Sequence, residues 1–351
     1  MFPKKISVIG AGAIGAMFGG LIKHHHPSTE VVLIARGKHL RAMQERRAVE
    51  IRGKWGHRLV PITAASSPDA VVDSDVVIFT VKTQDTDRVA KEYAGAIGDA
   101  VVVSLQNGIN QHLLTRHLHP DRVVAGMTST NMALIEPGVV QCNRGGISVI
   151  GPTSKQVAAS TVEVARRTLA ASGLPIEVSE SILGIQYNKL LFNTMGYASV
   201  VSSTDLLRDG IMTRSWRNEV ALPLLSEGLH VLQSAGILLE RVSGMSDVYR
   251  FRNFLRVLNL PTANTLANAT LRGPLSLPGI VFSVYQDLMR RRPTEIDYVN
   301  GEMVRLAKES GTEAPRNSKI VQMTKNIESH DQPKFFSKED VISEFRQLQC
   351  D

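Results

Sequence analysis

Cysteine, aromatic residues and long apolar runs are all scarce in this chain. Its two cysteines, Cys142 and Cys350, are too few for a disulfide framework or a zinc site, which points to a reducing compartment. Aromatic residues make up 5%, and no nucleic-acid-binding module is evident. A nucleic-acid partner is therefore not expected, despite a net charge of +7. No run of 18 apolar residues occurs, and the N-terminus lacks the apolar core and small-residue cleavage site of a signal peptide. The expectation is a soluble cytoplasmic protein with no membrane partner. Repeats and low-complexity segments are absent as well. What is present is ordinary globular composition, 43% hydrophobic and 21% charged, which excludes wholesale disorder. A length of 351 residues suits about two domains of roughly 150 residues each.

The positive charge is uneven. Residues 1–178 carry 20 Lys+Arg against 14 Asp+Glu, whereas residues 179–351 carry 20 against 19. An excess of that size arises by chance, or it marks a half that handles a polyanion.

The same halves differ in pattern. Short β-branched runs at 6–9, 31–35, 76–81, 101–105 and, more weakly, 123–125 alternate with helical stretches. Near-continuous apolar strands separated by helices predict a parallel sheet covered on both faces. Residues 132–150 read as a hairpin closing one sheet edge in antiparallel fashion. From Ser179 the β-rich runs end. Helical periodicity covers 182–198, 214–235, 246–258, 281–291, 296–310 and 317–327, with a breaker-rich loop at 273–279. The fold class expected is α/β, with a doubly wound Rossmann-type domain over 1–178. A mainly α-helical domain follows over 179–330, then an extension over 331–351. In that extension Ser337 and Asp340 have capping-box spacing, and Val341, Ile342, Phe345 and Leu348 form one apolar stripe. Such a stripe docks on its own chain or makes a homodimer contact.

Gly10-Ala11-Gly12-Ala13-Ile14-Gly15 follows a strand and opens a helix. In that context Gly10 suits the tight turn, Gly12 the approach of a pyrophosphate, and Gly15 close helix–strand packing. The helix N-terminus offers N–H groups to phosphates. An acid at the end of the second strand would select NAD by bonding the ribose 2′-hydroxyl. Here that strand ends Ile34-Ala35-Arg36-Gly37-Lys38. Arg36 suits a 2′-phosphate, so the expected cofactor is NADP(H). His24-His25-His26 is a polar helix end rather than a metal site, because adjacent helical side chains diverge by about 100°.

In the second half Lys189 and Asn193 lie four apart on one helix face, among apolar residues. A lysine beside an amide suits a carbonyl or oxyanion oxygen. Ser283 follows, then Thr294-Glu295-Ile296-Asp297-Tyr298-Val299-Asn300-Gly301, where Thr294 can cap a helix and place Glu295 in its first turn. Singly, Lys189 also reads as a surface lysine and Glu295 as a complement to the helix dipole. The run Arg290-Arg291-Arg292 reads as solvated charge.

Together these residues resemble the ketopantoate reductase (2-dehydropantoate 2-reductase) family. The resemblance is carried by the glycine motif, Arg36, Val81-Lys82, Gln106-Asn107-Gly108, Lys189 with Asn193, Ser283 and the Thr-Glu-Ile-Asp-Tyr stretch. It extends from about Lys4 to about Ile327. It implies a Rossmann and a helical domain with the active site in the cleft between them. It also implies NADPH-dependent reduction of a 2-oxo acid, 2-dehydropantoate to (R)-pantoate, in pantothenate and coenzyme A biosynthesis. On that resemblance Lys189 is the proton donor and Glu295 orients lysine and substrate. Asn193 and Ser283 bind the substrate, and Lys82 and Asn107 lie beside the nicotinamide, with Asn107 and Glu295 serving both ligands. Members often carry a second asparagine four residues past the first. Here that position is Tyr197, a substrate-binding candidate of different reach. The alternatives are a relative acting on another branched or aromatic 2-oxo or 2-hydroxy acid, and a non-catalytic dinucleotide-sensing regulator.

Overall fold

The computed structural model describes residues 2–241, 247–260, 262–265 and 282–348, with the backbone alone at Ser283. Two compact units divide within one helix, the first ending at Gln186 and the second opening at Tyr187. The break therefore falls after Gln186 rather than at Ser179. Ile182 and Ile185 are buried against Ala125, Met127 and Val149 of the first unit's sheet, which keeps the start of that helix with the sheet.

The first unit is built on an eight-stranded sheet ordered β12-β11-β8-β7-β6-β1-β2-β5. Its strands are β1 (Lys5–Ile9), β2 (Glu30–Ile34), β5 (Thr63–Ala65), β6 (Val76–Phe79), β7 (Val101–Ser104), β8 (Val123–Thr128), β11 (Ser148–Pro152) and β12 (Ile176–Val178). The run β5-β2-β1-β6-β7-β8 is parallel. Residues alternate between its faces: Ile6, Val8 and Ile78 enter one core, and Ile9, Val77 and Phe79 the other. Both faces are covered, which is why the strand sequences are apolar throughout rather than alternating. Helices α1 (Ala13–His25), α2 (Gly37–Arg46), α3 (Thr86–Ile97), α4 (Gln111–Leu114) and α5 (Ala159–Ala170) connect or cover them.

The expected hairpin over 132–150 is only half correct. β11 does pair antiparallel with β8, but β12 then pairs parallel with β11 and forms the edge. The hairpin itself, β9 (Asn131–Glu136) and β10 (Val139–Arg144), instead joins β3 (Ala48–Gly53) and β4 (Arg58–Pro61) in a second sheet ordered β4-β3-β10-β9. Helix α1 lies between the two sheets. A Cβ on Gly19 would meet Leu33 and Val8 of the main sheet, and one on Gly20 would meet Ile51 and Val49 of the second. Residues 15–22 of α1 are buried without a break, as expected of a helix with apolar neighbours on all sides. The helix ends at the three histidines, where His24 Nε2 lies 2.8 Å from Arg58 Nη1 and His26 stacks on Phe2.

The second unit is helical: most of α6 (Ile182–Val201), then α7 (Arg214–Trp216), α8 (Leu222–Ser234), α9 (Val248–Val257), α10 (262–265), α11 (Ser283–Met289), α12 (Asn300–Glu309), α13 (Pro315–Glu328) and α14 (Lys338–Gln347). The expected single helix over 214–235 widens into a π-type turn at Arg217–Ala221. Pro223 follows at the start of α8 and lacks the N–H that would return to Glu219, so the ladder shifts in the turn before it. The breaker-rich loop at 273–279 lies outside the described residues. The capping box at Ser337 and Asp340 is formed in both directions at 3.0 Å. Val341, Ile342 and Phe345 are buried as α14 packs on the 217–221 turn and α13. No described helix is long and apolar enough to cross a membrane.

Candidate active site

At the carboxyl end of β1 the chain turns through Gly10, whose φ is +87°. A Cβ there would stand 2.5 Å from the Val81 backbone nitrogen. At Gly15 a Cβ would run into Thr80 Oγ1 and meet Val8 Cγ1 at 2.7 Å, so the helix lies directly on the sheet. At Gly12 the nearest atom is the Gly10 carbonyl at 3.9 Å, leaving that position open. Gly12 makes no side-chain cap, and the first-turn N–H groups of α1 at Ala13, Ile14 and Gly15 have no intrahelical acceptor. The result is an electropositive, uncapped helix end suited to phosphate. A cavity of about 310 Å³ opens beside it, lined by Gly10, Ala11, Gly12, Arg36, Lys82 and Asp85 among others.

Tertiary contacts hold the glycine turn. Thr80 Oγ1 donates to the Gly10 carbonyl at 2.8 Å. Gly138 N–H donates to His39 Nδ1 at 2.9 Å, so His39 carries its proton on Nε2 and donates it to the Ala11 carbonyl at 2.8 Å. Burial lowers the His39 pKa, which favours the neutral ring that accepts at Nδ1. Lys82 follows β6 and Asn107 follows β7. Gln106 Nε2 donates to the Val81 carbonyl, and Thr83 Oγ1 to the Asn107 carbonyl, which locks these two loops together at the strand ends. That is the edge where open α/β sheets hold ligands. A dinucleotide fits these groups. The glycine turn from Gly10 to Gly15 would hold its pyrophosphate, and Arg36 and Lys82 line the cavity beside it.

In the second unit, α6 carries Lys189, Asn193 and Tyr197 at four-residue intervals, hence on one face. Lys189 and Asn193 are half-buried and Tyr197 is 6% exposed. The neighbouring Asn188 turns away, accepting from Val248 N–H at 3.1 Å. Burial brings the Lys189 ammonium down to about 8, while the Glu295 carboxylate acts to raise it. A lysine so placed is largely protonated at neutral pH yet releases its proton more readily than a solvated one.

The turn bearing Glu295 differs from expectation. Thr294 accepts at Oγ1 from Ile296 N–H at 3.3 Å, so it caps a 3₁₀ turn rather than an α-helix. Its backbone N–H and its hydroxyl both donate to Glu328 Oε1, at 2.8 and 2.7 Å, and Ile296–Tyr298 is a 3₁₀ turn. Glu295 stands just before that turn. Nor is the Tyr197 hydroxyl left for a substrate, because it bonds to Thr294 and to the backbone of Glu295. Burial holds it above the ordinary phenol range, so it stays protonated. Tyr197→Phe leaves those partners short of a hydrogen bond inside the fold. It should lower stability by about 1–2 kcal/mol, read from urea unfolding. For Ser283 only the position at the start of α11 is described.

Among the described residues no group of three or more His, Cys, Asp or Glu could hold a metal ion. Residues missed by sequence reasoning are His39, Thr80, Asp85 and Glu328. No local signal marks them, since each acts on a group far away along the chain.

Comparison with known proteins bears on both units. The ketopantoate reductase PanE/ApbA description matches residues 6–155, and its C-terminal counterpart matches residues 181–328. A 2-dehydropantoate 2-reductase of Pyrococcus horikoshii is 29% identical over 93% of this chain and 98% of its own length. The crystal structure of a PanE/ApbA family ketopantoate reductase from Ralstonia eutropha JMP134 superposes with a TM-score of 0.74. It is 27% identical and covers 92% of this chain and 98% of its own. A D-mandelate dehydrogenase solved with NADH and anilino(oxo)acetate also reaches 0.74, covering 97% of this chain and 99% of its own, but at 21% identity it speaks to the fold alone. The chain belongs to the ketopantoate reductase PanE/ApbA family and is an oxidoreductase acting on the CH–OH group.

Proposed function

We propose that this protein reduces a 2-oxo acid with NADPH, and that the acid is 2-dehydropantoate, giving (R)-pantoate for pantothenate and coenzyme A synthesis. The observation that carries this reading is Lys189, lowered to about 8 by burial, under the charge of Glu295 and one turn from Asn193. When bound, the nicotinamide supplies the hydride. Lys189 donates its proton to the ketone oxygen as that oxygen gains charge. Glu295 keeps the ammonium in place and favours its charged form. Asn193 hydrogen-bonds the substrate hydroxyl or carboxylate, and Ser283 binds the carboxylate. Arg36 receives the 2′-phosphate. Fixed donors and fixed orientation supply most of the acceleration.

The test is the initial rate of NADPH oxidation with 2-dehydropantoate, set against a panel of branched and aromatic 2-oxo acids. The expected result is the highest kcat/KM for 2-dehydropantoate. A higher value for another acid reassigns the substrate, a reading supported by Tyr197 standing where family members often carry an asparagine. Cofactor binding with turnover of no 2-oxo acid would overturn the substrate class.

A further inference from the structure

The adenosine side of the cofactor cavity is less basic than the sequence suggests. Arg36 Nη2 lies 2.7 Å from Asp85 Oδ2. The other oxygen of the same carboxylate, Asp85 Oδ1, lies 3.1 Å from Arg88 Nη2, and Arg88 Nη1 lies 3.1 Å from Glu92 Oε2. All four side chains line the cavity that opens beside Gly10 and Gly12. Two guanidiniums are thus matched by two carboxylates, and one carboxylate bridges both guanidiniums. The acid absent from the end of β2 is supplied by the loop after β6.

Each ligand would meet this cluster differently. A 2′-phosphate reaching for Arg36 must compete with a carboxylate already bonded to one guanidinium nitrogen, and it brings like charge toward Asp85. A 2′-hydroxyl carries no such charge and can donate to Asp85, as it does to the acid that usually ends the second strand in NAD-binding folds. We infer that Asp85 is the residue that sets cofactor choice. It holds Arg36 and Arg88 back from a 2′-phosphate and offers a 2′-hydroxyl an acceptor, so that the protein binds both NADPH and NADH. This rests on the proposed function, in which the cradle holds a nicotinamide dinucleotide.

The experiment measures the Kd of NADPH and of NADH by cofactor fluorescence for the full-length protein, D85N and R36A. Asp85 makes no side-chain cap to α3, so D85N keeps shape and removes charge alone. Cooperative thermal unfolding checks its fold, and D85S replaces it if that check fails. Exposed charges are screened, which bounds the size of the effects. D85N should tighten NADPH by about three- to tenfold and weaken NADH by about threefold. R36A should weaken NADPH and leave NADH within about twofold. Unmodified protein that binds NADPH and NADH, with D85N leaving their ratio unchanged, would overturn the role of Asp85 and leave the cradle intact. Equal weakening of both cofactors in D85N would overturn it too, as a purely structural effect. Unmodified protein that binds neither cofactor would overturn the cradle itself.

Discussion

Lys189→Ala should lower kcat for 2-oxo acid reduction by about 100-fold or more, the usual scale for loss of a general acid. Cofactor affinity should hardly change, because the cradle and Lys189 belong to different parts of the chain. A variant with near-normal kcat would remove Lys189 from the chemistry. The pH profile gives a second readout. Only the ammonium form can donate a proton, and burial has brought its pKa down to about 8. Reduction should therefore be steady below that pH and fall as pH rises through it, well below the range of a solvated lysine. The Glu295 carboxylate pushes the Lys189 pKa upward. Glu295→Gln removes that push, so the alkaline limb should move to lower pH. An unchanged limb would mean that Glu295 does not act through Lys189.

Phe345→Ala should cost about 3–5 kcal/mol, the range for deleting a fully buried phenylalanine, unless α14 undocks as a unit and limits the loss. Phe345 is 0% exposed and packs with Val341 as α14 lies on the 217–221 turn and α13. Lys319 with Glu344 at 2.8 Å and Arg346 with Glu219 at 3.7 Å add surface ion pairs of small worth. Phe336 N–H donates to the Val201 carbonyl at 3.1 Å, so the extension is tied to the C-terminal end of the helix that carries Lys189. Urea unfolding measures the loss. A change under about 1 kcal/mol would mean that the extension contributes little to this unit. If the tie to α6 matters, kcat should fall with stability.

Features confined to a few consecutive residues were legible from the sequence. The glycine motif is one: a positive φ at Gly10 and close helix–strand contact at Gly15 follow from sterics within one strand–turn–helix unit. The parallel strands are another, because burial on both faces writes itself as continuous apolar runs. The capping box at Ser337 spans one helical turn and formed as spaced.

Other features were decided only by tertiary structure. Period alone does not say which sheet a hairpin joins, and β9 and β10 joined β3 because α1 offered a second apolar face around Gly20. Thr294 caps a 3₁₀ turn rather than an α-helix, accepting from Ile296 N–H, and its own proton goes to Glu328, 34 residues away. The excess of positive charge in residues 1–178 looked like a general attraction for a polyanion, with Arg36 as its local use. Folding set Asp85 against Arg36 from 49 residues away, so that a carboxylate opposes the arginine inside the cavity that a cofactor would enter. The sequence by itself thus determined the cradle and the lysine face, because local sterics and helical spacing act within a turn or two of chain. Which charges oppose one another in the cradle, and what braces the Glu295 turn, depended on separations that no local pattern encodes.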